Sequence, residues 1–287
     1  MRYGLNYLVA IWILGFSCYS FAADRTASLV IDAESEEILH SHNADELRHP
    51  ASLTKIMTIY LAFEAIEAGV VKHNDKIVVS SYASSQPRTN MCLKSGEVIQ
   101  VKDAIMGMIV HSSNDAAVAL AEEISGSEER FALLMNKKAR SLGMYNTTFR
   151  NATGLPHPDQ KTTAYDMGKL GVAIKNDFPK YYQLFSVTEY NFKGKKLVSH
   201  NHVVKNYHNI DGLKTGYINA SGFNLVSSAS DHNQKVVGVV MGGNTARERD
   251  DKMVMLLNKF VDVKKRLIKK ISKRSSKPKK KINKNKV

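Results

Sequence analysis

The chain has 287 residues, 43% of them hydrophobic and 24% charged, which excludes a disordered polyelectrolyte and allows a sizeable core. Its formal net charge is +14, yet thirteen of the 41 basic residues fall in residues 264–287, where no acidic residue occurs, leaving 28 basic against 27 acidic residues elsewhere. The body is therefore nearly neutral, and the charge excludes a basic surface spread over the fold.

Arg2 beside the amino terminus, an uncharged apolar run over residues 8–16 and Ser20-Phe21-Ala22 together read as a secretory signal cleaved after Ala22. Residues 1–22 are thus a signal peptide, residues 23–263 a folded domain and residues 264–287 a lysine-rich tail. Export to the periplasm or cell envelope argues against nucleic acid as a partner. Once Cys18 is removed, only Cys92 remains, so no internal disulfide can form.

Residues 27–31 read as a strand, 32–37 as a turn and 38–41 as the returning strand. Leu53, Ile56, Met57, Tyr60, Leu61 and Ile66 follow at helical spacing, with Pro50 and Ser52 at the start of this amphipathic helix and Gly69 at its stop. Further helices are expected at 101–108, from 114 or 115 through 121, at 128–142 and at 163–174. Strands return at 212–217, 222–228 and 236–241, with turns at Asn219-Ala220-Ser221 and His232-Asn233, and a last helix at 249–261. Strands at both ends around a helical middle predict an α+β fold: an antiparallel sheet built from the N- and C-terminal segments, with a mainly helical region inserted.

Ser52-Leu53-Thr54-Lys55 opens the first long helix. Residues three apart share a helix face, so this serine and this lysine can touch. A serine hydroxyl needs a base beside it, and a lysine becomes one when burial or a neighbouring cation lowers its pKa. Backbone N–H groups at the helix start lie where charge would develop on an attacked carbonyl. The spacing alone is weak, since Ser276-Lys277-Pro278-Lys279 repeats it in the tail. The signal is order and context: Ser112-Ser113-Asn114-Asp115 falls between two helices, and Lys214-Thr215-Gly216 falls on a strand. His111, His157 and Cys92 read as structural. No histidine and carboxylate cluster has zinc-binding spacing, so no metal and no cofactor is expected.

This triple set resembles the penicillin-recognising serine enzymes, and within them the low-molecular-mass D-alanyl-D-alanine carboxypeptidases. The resemblance spans residues 27–262. It includes Pro50-Ala51-Ser52-Leu53-Thr54-Lys55-Ile56-Met57-Thr58, His111-Ser112-Ser113-Asn114-Asp115-Ala116-Ala117, Asn151-Ala152-Thr153-Gly154-Leu155-Pro156-His157 and Asp211-Gly212-Leu213-Lys214-Thr215-Gly216. It implies a penicillin-binding-protein/β-lactamase-like transpeptidase fold. It also implies Ser52 as nucleophile toward the penultimate D-alanine carbonyl, Lys55 as its proton acceptor and Ser112 as proton relay to the departing D-alanine. Lys214 would support that relay, Asn114 hold the substrate backbone, and Thr215 and Gly216 form a strand edge for an extended peptide. The N–H groups of Ser52 and Tyr217 would form the oxyanion hole; Tyr217 stands where histidine is frequent. Arg249 matches an arginine associated with the substrate's terminal carboxylate, with Arg247 as a rival.

The implied partners are peptidoglycan stem peptides, with β-lactams as covalent inhibitors. The alternatives are a D,D-endopeptidase using the same residues and a catalytically silent penicillin-binding protein. A class A β-lactamase is disfavoured, because no Glu-x-x-Leu-Asn segment occurs. The tail interleaves Val261, Val263, Leu267, Ile268 and Ile271 with basic residues, and so could lie on an anionic membrane surface or stay solvated. The family commonly anchors through a C-terminal amphipathic helix that follows a β-rich domain, for which residues 264–287 leave no room.

Overall fold

A computed structural model describes residues 25–232 and 234–262. The signal peptide, the tail of residues 264–287 and Asn233 of the His232-Asn233 turn lie outside the described residues.

The chain opens with the hairpin β1 (Ala27–Asp32) and β2 (Ile38–His42). A 3₁₀ turn, Ala51–Leu53, leads into α1 (Thr54–Glu67). Next come β3 (Lys76–Val78), α2 (Ser81–Ser84) and β4 (Val98–Gln100). The helices α3 (Val101–His111), α4 (Asn114–Ser125), α5 (Glu128–Ser141) and α6 (Ala164–Asp177) complete the inserted region. A short α7 (Pro179–Tyr182), the hairpin β5 (Glu189–Phe192) and β6 (Lys195–Val198), and α8 (His202–Asn206) lead back to the sheet. β7 (Ile210–Ile218), β8 (Gly222–Ser230), β9 (Lys235–Gly243) and α9 (Ala246–Leu257) finish the described chain.

The main sheet runs β2-β1-β9-β8-β7, with every neighbouring pair antiparallel. The expected α+β architecture is therefore the observed one, with β1 from the N-terminus paired to β9 from the C-terminus. The continuous apolar run on β9 has a physical cause: both faces of the sheet are covered. Leu29, Ile31, Val237, Val239 and Met241 join the core that includes α6 and the inserted helices. Val30, Val236 and Val240 alternate to the other face and pack with Met253, Leu256 and Leu257 of α9. Five strands stacked this way leave β7 at an edge, and that edge faces the 3₁₀ turn carrying Ser52.

Three expectations need correcting. Helix α1 is not amphipathic: residues 54–63 are all buried, because α3, α4, α5 and α6 surround it. Ser52 sits in the 3₁₀ turn before α1 rather than in its first α-helical turn. The last helix begins at Ala246, not 249, because the Thr245 hydroxyl caps it by accepting the Glu248 N–H at 3.1 Å. Among the described residues no helix is long and apolar enough to cross a membrane.

Candidate active site

The predicted residues converge on one cleft of about 490 Å³, lined among others by Ser52, Ser112, Asn114, Thr215, Gly216, Tyr217 and Arg249. Lys55 and Lys214 lie beneath its surface, 0% and 3% exposed.

Lys55 is the centre of the arrangement. Its Nζ lies 2.7 Å from Asn114 Oδ1, 2.6 Å from the Thr153 carbonyl oxygen and 3.2 Å from Ser52 Oγ. Burial is the largest cause holding its pKa well below the usual lysine value, and the nearby Lys214 charge adds to it; Asp115 and Glu128 pull the other way. A neutral amine has two N–H groups and one lone pair. Asn114 and Thr153 take the two N–H groups at the shorter distances, which turns the lone pair toward the Ser52 hydroxyl. In that state the serine O–H donates to the lysine, the orientation a general base requires.

The backbone around Ser52 is strained and clamped. Ala51 has φ +49, in the left-handed region that a residue with a Cβ adopts at some cost. Glycines press on this turn from both sides. A Cβ on Gly154 would stand 1.9 Å from the Ala51 carbonyl oxygen, and one on Gly216 would stand 3.1 Å from both the Pro50 oxygen and the Ser52 nitrogen. Gly216 thus lets the edge strand β7 approach the turn carrying Ser52 within van der Waals distance. Gly216→Ala is expected to push these two backbones apart and slow acylation of Ser52 by about tenfold or more, with a smaller effect on melting temperature. Stopped-flow acylation beside thermal unfolding checks this.

Ser112 ends α3 in a left-handed conformation, φ +61, and its carbonyl accepts the Thr89 hydroxyl at 2.9 Å. This turn aims Ser112 into the cleft and starts α4 two residues later, which brings Asn114 to Lys55. Asn114 Nδ2 donates to the Pro87 carbonyl at 2.9 Å, so one of its N–H groups is committed and the other remains for a ligand. Asp115 is fully occupied structurally: it accepts the Met91 and Leu93 N–H groups at 3.0 and 3.1 Å and so fixes the loop below the cleft rim.

On the opposite wall, Lys214 donates to the Thr215 carbonyl at 2.9 Å. Burial first, then the Arg249 charge, lowers its pKa to about 7. Between about pH 7 and the unfolded value near 10.5, the unfolded chain binds a proton at Lys214 that the folded chain releases, so this residue makes stability rise with pH across that window. In Lys214→Met that contribution disappears. Denaturant unfolding at pH 7 and pH 10 is expected to show the wild type gaining on the order of a few kcal/mol relative to the variant.

Arg249, 3% exposed, lies in the cleft wall, pairs with Asp250 at 2.8 Å and donates to the Asn224 carbonyl at 3.2 Å. Arg247 is 91% exposed and points elsewhere, to Asp251. Tyr217 is half-exposed, its ring tilted on Phe223 and its hydroxyl donating to Asn219. His111 and His200 are in ring contact beside the cleft, and burial with the Lys214 charge lowers the His200 pKa to about 4. Cys92 is free and exposed, and the His157 ring accepts a local Asp159 N–H at 3.2 Å.

The sequence offers Thr153 and Gly154 only as part of the block resembling the family, with no role attached, and it does not mark Glu128. Thr153 acts through a backbone carbonyl, which carries no residue signature. Only the glycine in Asn151-Ala152-Thr153-Gly154 hinted at a close approach.

Comparison with known proteins gives this geometry relatives. The family model described as D-alanyl-D-alanine carboxypeptidase matches residues 19–245. The D-alanyl-D-alanine carboxypeptidase DacF of Bacillus subtilis is 36% identical over 270 residues, covering 88% of this chain and 68% of the relative. The D-alanyl-D-alanine carboxypeptidase DacC of Escherichia coli is 37% identical over 258 residues, covering 84% and 64%. The chain therefore spans about two thirds of the length of these relatives. Among solved structures, penicillin binding protein 5 of Haemophilus influenzae superposes with a TM-score of 0.78 at 35% identity, over 81% of this chain and 69% of that one. Penicillin-binding protein D2 of Listeria monocytogenes, solved in its ampicillin-bound form, superposes with a TM-score of 0.70 at 29% identity, over 81% and 95%. With a family model over most of its length and relatives above one-third identity, this chain belongs to the D-alanyl-D-alanine carboxypeptidase family.

Proposed function

We propose that the protein is a serine D,D-carboxypeptidase that removes the terminal D-alanine from peptidoglycan stem pentapeptides through an acyl-enzyme on Ser52. The observation that carries this is the Lys55 amine, buried, depressed in pKa, held by two acceptors and directed at the Ser52 hydroxyl.

The stem peptide lies along the open edge of β7 at Thr215–Tyr217, pairing as an added strand. Lys55 takes the Ser52 proton while Oγ attacks the carbonyl carbon of the penultimate D-alanine. The Ser52 and Tyr217 N–H groups receive the oxyanion. Ser112 passes a proton to the amide nitrogen as the C–N bond breaks and takes its replacement from the protonated Lys55 amine, with Lys214 favouring that transfer by its charge. The free N–H of Asn114 holds the substrate backbone, and Arg249 faces the terminal carboxylate. D-Alanine leaves, and water hydrolyses the ester. A β-lactam acylates Ser52 by the same steps, but its leaving nitrogen stays attached to the adduct, which slows release.

This substrate places the enzyme in the cell envelope, in keeping with residues 1–22 as a secretory signal and with peptidoglycan as the partner. The basic residues 264–287 would hold it on an anionic membrane surface; a chain ending at 262 is then expected to lose binding to anionic vesicles.

The test is D-alanine release from a synthetic peptide ending in D-Ala-D-Ala, beside a cross-linked muropeptide. Release from the first supports the carboxypeptidase. Cleavage of the second alone would make the enzyme a D,D-endopeptidase, and labelling by penicillin without cleavage of either would make it a silent penicillin-binding protein.

A further inference from the structure

Glu128 is a buried carboxylate outside the set that the chemistry above uses. It is the first residue of α5, 6% exposed, beside the N-cap Ser127. Its Oε1 accepts the Ala152 N–H at 2.9 Å and its Oε2 accepts the Tyr82 O–H at 2.8 Å. Both oxygens act as acceptors, which is the pattern of an ionised group; burial is the largest influence and raises its pKa above the usual carboxylate value, and these two donors counter part of that rise.

The residue it holds is one step from the base. The Ala152 carbonyl accepts the Thr58 hydroxyl of α1 at 2.7 Å, and the next carbonyl, that of Thr153, accepts the Lys55 amine at 2.6 Å. Gly154 then seats against Ala51. Glu128 therefore anchors the start of the loop that orients Lys55 and clamps the nucleophile turn. Three charged groups act on the amine. Lys214 from β7 disfavours its protonated form; Asp115 from α4 and Glu128 from α5 favour it. Asn114 and Ser52, its other side-chain partners, are neutral.

We propose that Glu128 is a positioning residue for Lys55, acting on the amine through the Ala152–Thr153 loop and through its own negative charge. This rests on Lys55 being the base for Ser52. The competing role is purely local: a carboxylate at a helix N-terminus that stabilises α5 and leaves the base untouched.

Two variants separate charge from reach. Glu128→Gln keeps an acceptor for Ala152 and removes the charge; Glu128→Asp keeps the charge and shortens the reach. The probe is the rate of Ser52 acylation by a fluorescent penicillin as a function of pH, whose acid limb follows deprotonation of Lys55. Losing a nearby negative charge makes the amine easier to deprotonate, so in Glu128→Gln the limb moves to lower pH by on the order of half a unit, with the plateau within about threefold of wild type. In Glu128→Asp the limb stays in place and the plateau falls about tenfold as the Thr153 carbonyl loosens.

A limb that coincides with wild type in Glu128→Gln overturns the proposal, whatever Glu128→Asp does. The ¹⁵Nζ titration of Lys55, followed by NMR in the same proteins, reads the shift without turnover. Absence of acylation in the wild type would sink the carboxypeptidase reading, while the titration would still decide the role of Glu128.

Discussion

Ser52→Ala is expected to abolish D-alanine release and penicillin labelling together, each by more than about a thousandfold, while the melting temperature stays within a few degrees of wild type. The two parts of this expectation have separate causes. The activity falls because, among the described residues, Ser52 is the hydroxyl that bonds to the Lys55 amine. The fold survives because the removed oxygen is partly exposed and, among the described residues, bonds to Lys55 alone, which keeps Asn114 and Thr153. Release assays, gel fluorescence after penicillin labelling and a thermal melt measure all three quantities. Labelling that persists in this variant would put the nucleophile elsewhere in the cleft.

Lys55→Arg is expected to cost about a thousandfold in acylation although it keeps a positive charge at the same place. An arginine cannot release its proton in this range, so it can neutralise a neighbouring carboxyl but cannot act as a base. Lys55→Met is the companion variant. It keeps the volume of a fully buried side chain, removes the amine and leaves Asn114 Oδ1 without the lysine and the Thr153 carbonyl unpaired, so it loses activity for the same reason with some loss of stability. Rates for both variants from stopped-flow acylation distinguish the roles. If arginine sustained acylation within tenfold of wild type while methionine did not, the lysine would be acting by charge alone, and the base would have to be sought at Ser112 or a water.

What the sequence disclosed here is what local spacing and order can carry. Ser52 and Lys55 are three residues apart at a helix start, a spacing that allows the hydroxyl to meet the amine. Ser112, Asn114 and Lys214 fall at an element boundary or on a strand, where a site could collect them, and the family resemblance supplied their roles. The sheet was legible because alternating burial on both faces makes β1 and β9 nearly continuous apolar runs.

Other features were hidden for physical reasons. The all-round burial of α1 was obscured by Thr54, Lys55 and Thr58, polar residues whose partners come from distant segments. The two-stranded sheets β3–β4 and β5–β6 have only three or four residues per strand, too few for a period to show. The start of α9 was masked by Arg247, Glu248, Arg249, Asp250 and Asp251, which conceal the cap at Thr245. The carbonyl of Thr153 and the carboxylate of Glu128 act across more than seventy residues of sequence, and only folding brings them to Lys55.

The central claim is that Ser52 is the acylated nucleophile. It is tested most directly by mixing the protein with a penicillin, digesting with trypsin and locating the adduct by mass spectrometry. One adduct per chain is expected, on the peptide of residues 49–55 and at Ser52. An adduct at Ser112 or Cys92, or a chain that remains unmodified at saturating penicillin, would contradict it.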